Sequence, residues 1–596
     1  MCGIAGIFQS EPAPIEAALE KLRAALLHRG PDDEGQWLSP SGLAGLAHTR
    51  LAVLDLSPAG HQPMITADGR FAIVFNGEIY NFRELRAELE KTGAEFRTRS
   101  DTEVLLRLYE REGAPMVRRL RGMFALAIWD EAERTAFLAR DPFGIKPLYY
   151  SHQAGRLAFA SEVRALQSAG LADSSLDAAA MMRYLESGSV AEPATLLKEV
   201  RALPAGHSMI WKAGAPRMEC HWRPVFSPGP MSAGEAAEKT RAALLDSLDH
   251  HFVSDVPVGL FLSGGVDSTL LAVLAREQGR AGLESFSIGV DDARLDESSV
   301  AARTAAHLGL RHHELRLDAA GMAESFPRFL RHMDQPGIDG FNTFMVSGFA
   351  RAQGMKVVLS GLGGDEIFGG YASFEKVPRL AHAAGWLRKL PGSTMMGRWM
   401  ETTLPRANLR RVGDLLQRGP GMTEAWRVFR GIFTRAQARR LTALYSGCDE
   451  ASLSPETALE ADTPDERDQA SLLEMTLYMR NQLLKDSDVM SMAHGLELRV
   501  PLVDRALFES VAHIPAALRL RAGKQLLLDA VPEIPDWVAG QPKRGFLFPY
   551  EKWLAADWGG AFEQARADIR DPRAPWYQQW CVFMLRQWLE SAHSHT

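Results

Sequence analysis

One stretch, LFLSGGVDSTLL at residues 260–271, constrains the fold more than any other. A short apolar run ends at Leu262, Ser263, Gly264 and Gly265 make a tight turn, and an apolar helix opens at about Asp267. The same alternation continues through LESFSIGV, a helix from DESSVAARTAAHLG, RHHELRL and later MKVVLSG. Strand and helix in turn predict a parallel sheet with helices on both faces. The glycines let the backbone approach a ligand closely, and N–H groups at a helix start attract phosphate. A GxxxxGK[ST] loop is excluded, because its lysine is missing.

The first two hundred residues read differently. GLAGLAHTRLAVLDL, RFAIVFNGEIY, MFALAIWDEAERTAFLARD and LYYSHQAGRLAFASE look like strands bounded by turn residues, with helical stretches NFRELRAELEKTGA and DTEVLLRLYEREG between them. Sheets alternating with helix pairs predict a layered α+β domain. The Pro- and Gly-rich text at 204–234 marks a seam. The expected organisation is therefore residues 1–205 as one domain, 206–234 as linker and 235–596 as a second domain with extra helices. A length of 596 residues supports two cores. The net charge of −7 disfavours a general nucleic-acid partner, and no apolar run is long enough to span a bilayer. The four cysteines are far apart and form no CxxC pair, which disfavours a disulfide scaffold or zinc site and fits a cytoplasmic home.

The chain begins MCGIAGIF. Removal of Met1 leaves Cys2 with both a thiol and a free α-amine of pKa ~8, which can act as the thiol's own base. HRGPDDEG at 28–35, HTRLAVLD at 48–55, FNGEIYNFRELR at 75–86, SDTEVLL at 100–106 and ARDPFGIKPLYY at 139–150 follow. Singly, these are turn and helix-cap chemistry. Together with the N-terminal cysteine they resemble the class II glutamine amidotransferase domain, over Cys2 to about residue 205. The resemblance implies an αββα Ntn-type glutaminase fold. It casts Cys2 as nucleophile, Asn76 and Gly77 as oxyanion donors, Arg50 as the clamp on the glutamine carboxylate, and Asp101, with Glu78 as a second candidate, as readers of the ammonium. An oxyanion donor contributes on the order of 3 kcal/mol.

The SGGVDS loop resembles that of the ATP-pyrophosphatases. With VVLSGLGGDEIFGGY at 357–371, MSMAHGLELRVPLVD at 490–504, GKQLLLDA at 523–530 and PKRGF at 542–546, residues 235 to about 550 resemble the synthetase domain of glutamine-dependent asparagine synthetase. That implies an ATP-pyrophosphatase-type α/β domain. ATP would be bound by Leu262, Ser263, Gly264, Gly265, Asp267, Ser268, Ile288, Val290, Ser360, Gly361, Lys524 and Lys543, and Mg²⁺ by Asp267 and Asp365. For Asp365 the competing reading is an acid dressing a helix N-terminus; for the two lysines it is simple solvation. His312, in HHE, reads as a strand start, because metal ligands come in sets.

The implied reaction is amidation of an adenylated carboxylate by glutamine-derived ammonia, with L-aspartate as leading acceptor and asparagine, glutamate, AMP and pyrophosphate as products. The substrates are small molecules, and a homodimer is implied by the resemblance alone. Two departures bear on the acceptor. Leu362 stands where the family carries glutamate, and DQP at 334–336 stands where it commonly has DEP. Together they leave open a sugar acid, peptide or natural-product acid as acceptor. A tRNA-modifying relative would want a basic face, which the charge does not support. A non-catalytic scaffold would show decay at the chemical positions, which are intact.

Overall fold

The computed structural model describes residues 2–280, 282–292, 294–404, 406–453, 463–541, 548–557 and 559–593. Its strands are β1 (Cys2–Gln9), β2 (Asp33–Leu38), β3 (Ala44–Arg50), β4 (Met64–Ile65), β5 (Phe71–Ile79), β6 (Gly122–Asp130), β7 (Thr135–Arg140), β8 (Tyr149–Gln153), β9 (Arg156–Ala160), β10 (Val200–Ala202), β11 (His207–Lys212), β12 (Ala215–Cys220), β13 (Val258–Phe261), β14 (Glu284–Val290), β15 (Arg311–Leu317), β16 (Val357–Leu359) and β17 (Glu497–Arg499).

Two antiparallel six-stranded sheets, β10-β8-β9-β1-β3-β2 and β12-β11-β7-β6-β5-β4, form the N-terminal half. Alternation puts Ile4, Phe8, Leu46, Val74, Trp129, Leu138, Phe159 and Trp211 into one apolar layer between them. The outer face of the second sheet buries Ile73, Phe75 and Leu126 against Leu85, Leu89, Val104 and Leu108 of the helices Phe82–Lys91 and Asp101–Glu112. The first sheet covers its outer face with Leu19 and Leu22 of the helix Glu16–Ala25. This is the four-layered αββα arrangement that the resemblance implies. The stretch expected as linker departs from it. Residues 207–220 form the hairpin β11–β12, which extends the second sheet by pairing with β7. Pro204 and Gly206 immediately precede this hairpin and disguise its start, and the N-terminal unit continues past residue 205.

After a Ser232–Glu235 capping box starts the helix Ala233–His251, a five-stranded sheet of order β15-β14-β13-β16-β17 builds the second half. All its pairings are parallel. The chain moves outward from β13 on one side to β14 and on the other to β16, so the strand order reverses there, where open α/β sheets bind ligands. The two glycine loops that follow β13 and β16 meet at this point.

The helix Glu466–Leu473 runs without interruption into a π-helical stretch, Glu474–Leu484, and on through Lys485–Met492. A π-helix of this length is rare and such stretches concentrate at functional sites. It lies against the N-terminal half: Asn481 Oδ1 accepts from the Glu192 N–H at 3.0 Å, and Arg480 donates to the Phe143 carbonyl at 3.2 Å.

Candidate active sites

The β1–β3 register sets Cys2 opposite Arg50, and both are buried. The Cys2 N–H donates to Asn76 Oδ1 at 2.9 Å. Asn76 Nδ2 is buried and has no hydrogen-bond partner, leaving a free donor in the amide that is tied to Cys2. A Cβ on Gly77, whose φ is 152°, would collide with the Met123 carbonyl, so the neighbouring position accepts only glycine. Three carbonyls hold the Arg50 guanidinium, those of Ser57, Leu54 and Asp55 at 3.1, 3.2 and 2.5 Å. Burial pushes the Cys2 thiol up, against the opposing pull of the Leu51 backbone and Arg50.

Asp101 opens its helix behind the Ser100 cap and accepts the Ile79 N–H at 3.0 Å. Burial pushes its carboxyl up to about 6. Burial also raises Glu78 well above the carboxylate range, with Glu497 adding to the effect and Arg499 opposing it. The candidates Cys2, Arg50, Asn76, Gly77, Glu78 and Asp101 therefore line one buried end of the β1–β3–β5 region.

Residues from the other half close this site, and sequence reasoning did not single them out. Arg499 on β17 lies 3.4 Å from Glu78 and donates to Glu497 at 2.6 Å and to the His251 and Val253 carbonyls at 2.7 Å each. Its own carbonyl accepts the Ser360 N–H at 2.8 Å. Below Cys2, Arg29 reaches the Cys2 carbonyl at 3.2 Å, Glu162 at 2.9 Å and Asp488 at 2.6 Å, while Lys146 lies 3.3 Å from Asp488. The available signal was weak: Arg29 and Lys146 sit inside quoted motifs, but arginines in ELRVP or HRG read as ordinary surface charge.

At the second site the strand β13 ends one residue before the predicted Leu262, whose N–H donates to the Phe286 carbonyl at 2.9 Å. The Ser268 hydroxyl accepts the Ser263 N–H at 3.1 Å, and the Ser263 hydroxyl accepts the Gly265 N–H at 3.2 Å. The helix then starts at Val266. The second loop folds directly onto the first. A Cβ on Gly361 would lie 2.8 Å from Asp267 Cβ and the Ser268 nitrogen, and one on Gly364 would collide with the Asp267 carboxylate. Ile288 and Val290 end β14 beside this crevice. His312 sits within β15, hydrogen-bonded between the Ser285 and Ser287 hydroxyls at 2.9 and 3.1 Å.

Lys524, held in a left-handed backbone conformation, is ion-paired with Asp267 and lies 2.5 Å from Asp365. Asp267 Oδ1 is buried without a hydrogen-bond partner. Two convergent carboxylates, one with a free oxygen, fit a Mg²⁺ ion that takes its remaining ligands from phosphates and water. Lys543 and the PKRGF stretch lie outside the described residues. Leu362 packs at the edge of the apolar core that contains Leu262, Leu502 and Val503. Gln335 serves the domain contact, accepting the Leu196 N–H and donating to the Tyr149 hydroxyl, both at 3.3 Å.

Sequence comparison agrees with this division. Residues 1–222 match the family described as glutamine amidotransferase domain, and residues 239–594 match asparagine synthase. The chain belongs to the asparagine synthase family. It is 33% identical to asparagine synthetase [glutamine-hydrolyzing] 1 of Bacillus subtilis, over 93% of this chain and 88% of that one. It is 34% identical to a putative asparagine synthetase of Mycobacterium tuberculosis, over 96% and 91%. A further relative, at 27% identity over 93% and 90%, is amidase chry2 of Gibberella zeae. This asparagine synthase relative is thus an ATP-using, glutamine-dependent amidotransferase by family. Among the described residues, no helix is long and apolar enough to cross a membrane.

Proposed function

We propose that this chain converts L-aspartate, L-glutamine, ATP and water to L-asparagine, L-glutamate, AMP and pyrophosphate. Cys2 attacks the glutamine side-chain amide and expels ammonia, and water hydrolyses the resulting thioester to glutamate; Asn76 Nδ2 and the Gly77 N–H receive the developing oxyanion, and Arg50 holds the substrate carboxylate while Asp101 reads the ammonium. In the other half, N–H groups of residues 263–265 and Lys524 bind the phosphates. Asp267 and Asp365 would hold Mg²⁺, which would supply charge neutralisation on the triphosphate. The acceptor carboxylate attacks the α-phosphate and expels pyrophosphate. Ammonia then attacks the activated carbonyl and AMP leaves.

The observation that carries this reading is Arg499. Its side chain faces Glu78 of the glutaminase site and its carbonyl accepts the N–H of Ser360 in the ATP loop, so one residue touches both sites. A second reading, an acceptor acid other than aspartate, draws support from Leu362 at the proton-managing position and from the amidases among the relatives. Pyrophosphate release from MgATP and glutamine, with and without aspartate, separates the two. Aspartate-dependent release with asparagine formation is the expected result. Glutamine hydrolysis without aspartate-dependent release would reject the asparagine assignment and direct the search to other carboxylic acids.

A further inference from the structure

The described residues expose thirteen large apolar side chains, and six of them, Trp386, Leu390, Met395, Met396, Trp399 and Leu409, fall between residues 386 and 409. Single exposed apolar groups need no explanation, but a cluster marks an interaction surface. Trp386 is 66% exposed, Met395 79% and Trp399 57%. Met395, Met396 and Trp399 share the outer side of the helix Ser393–Thr403, at the spacing that places them on one face.

That outer face cannot turn inward. On the opposite side Gly397 packs against Gly413 of the helix Ala407–Arg418 so closely that a Cβ on either would lie 2.6 or 2.5 Å from the other's carbonyl oxygen. The glycine contact therefore fixes the helix with its apolar side out, which inverts the usual pattern of a surface helix.

The charges of this segment are inverted as well. Arg388, Lys389, Arg398 and Arg406 stand against the single carboxylate Glu401, in a chain of net charge −7. None of the four cations is ion-paired with a described residue, whereas Glu401 accepts from Gln417 at 2.7 Å. Trp386, Leu390, Arg388 and Lys389 sit at the turn joining the helices Ser373–Leu387 and Ser393–Thr403. A corner of tryptophan, methionine and leucine flanked by arginine and lysine is the composition of an interfacial anchor, its apolar groups entering the acyl boundary and its cations meeting headgroup phosphates.

We propose that this corner docks the enzyme, peripherally, on an anionic phospholipid surface. The absence of a spanning helix among the described residues bears on crossing a bilayer and not on lying against one. The inference is independent of the acceptor's identity, because none of these residues belongs to either candidate site.

The test is co-sedimentation of the full chain with vesicles of phosphatidylcholine alone and of phosphatidylcholine with one-third phosphatidylglycerol, at about 0.1 M salt. Binding is expected to the anionic vesicles and to weaken as salt rises. The double substitution Trp386→Ser/Trp399→Ser should weaken it at least about tenfold. Arg388→Gln/Lys389→Gln should weaken it about 25-fold, some fivefold per cation. ATP-dependent pyrophosphate release should be unchanged in both variants, which shows that the half carrying the corner folds. Absence of binding to anionic vesicles, or binding that neither variant alters, overturns the proposal. So does a dimer in light scattering that Trp399→Ser converts to monomer, since a second copy would then be what covers the corner.

Discussion

Asn76 carries the most specific prediction of the first site. Its Oδ1 is engaged by the Cys2 N–H and its Nδ2 has no partner, so the amide is oriented and its donor is free. Truncation to alanine should lower kcat for glutamine hydrolysis by about 10²–10³, because a preorganised donor acts mainly in the transition state. Pyrophosphate release driven by added ammonia should persist, as the ATP loops are untouched. Asp101 adds a pH dependence. Burial pushes its carboxyl up to about 6, so the ionised form, which would read the glutamine ammonium in the proposed function, is present above that value and lost below it. The kcat/KM for glutamine should therefore fall on acidification through about pH 6, and Asp101→Asn should lower it at pH 8 and flatten that limb. An unchanged profile in the variant would remove Asp101 from recognition. At this scale the sequence was informative wherever chemistry demands a residue type. It was silent about Arg499 and Glu497, whose importance comes from what they meet across the domain contact.

Glycines at Gly361 and Gly364 decide how the two ATP loops meet. Each is packed against the Asp267–Ser268 turn with no room for a Cβ. Gly364→Ala should displace the Asp267 carboxylate and abolish ATP-dependent pyrophosphate release, while glutamine hydrolysis in the separate N-terminal core continues. Loss of both activities together would mean general unfolding. A few elements away, Asp486 follows the π-helical stretch and accepts from Gln482 at 3.0 Å. Burial pushes its pKa up to about 7, against the opposing charge of Lys485. The unfolded value is near ~4, so between about pH 4 and 7 the folded chain retains a proton that the unfolded chain has released. Stability therefore falls as pH rises through that window. Asp486→Asn, which removes the titration, should match the parent below about pH 4 and exceed it above about pH 7, by up to ~4 kcal/mol. Melting temperature against pH reads this directly. Strands with clear alternation, such as β5 to β9, were legible in the sequence. The β11–β12 hairpin was hidden by Pro204 and Gly206, and the π-helical run has no compositional signal, because its geometry is imposed by packing.

The two halves are joined through charge as well as apolar surface, and under the proposed function Arg499 is where this would bear on catalysis. The guanidinium is fully buried, donates to two carbonyls and to Glu497 from its own strand, and lies 3.4 Å from Glu78 of the N-terminal half. Removing the charge would take from both buried carboxylates a cation that opposes their desolvation, a loss of roughly 3–5 kcal/mol. Arg499→Gln is therefore expected to unfold part of the protein and is uninformative about coupling. Arg499→Lys keeps one positive charge but loses the planar fork that serves several acceptors at once. It should fold, because the charge remains, and yet loosen the tie between Glu78 and the backbone that holds Ser360. The expected outcome is a change in stoichiometry. The parent should make about one glutamate for each pyrophosphate released, as the reaction requires. The lysine variant should hydrolyse glutamine in excess of pyrophosphate release, while ammonia-driven release stays near the parent rate. A merely structural role for Arg499 predicts a different result, both activities falling together with their ratio unchanged. The glutamate-to-pyrophosphate ratio, measured at saturating glutamine and ATP, distinguishes the two.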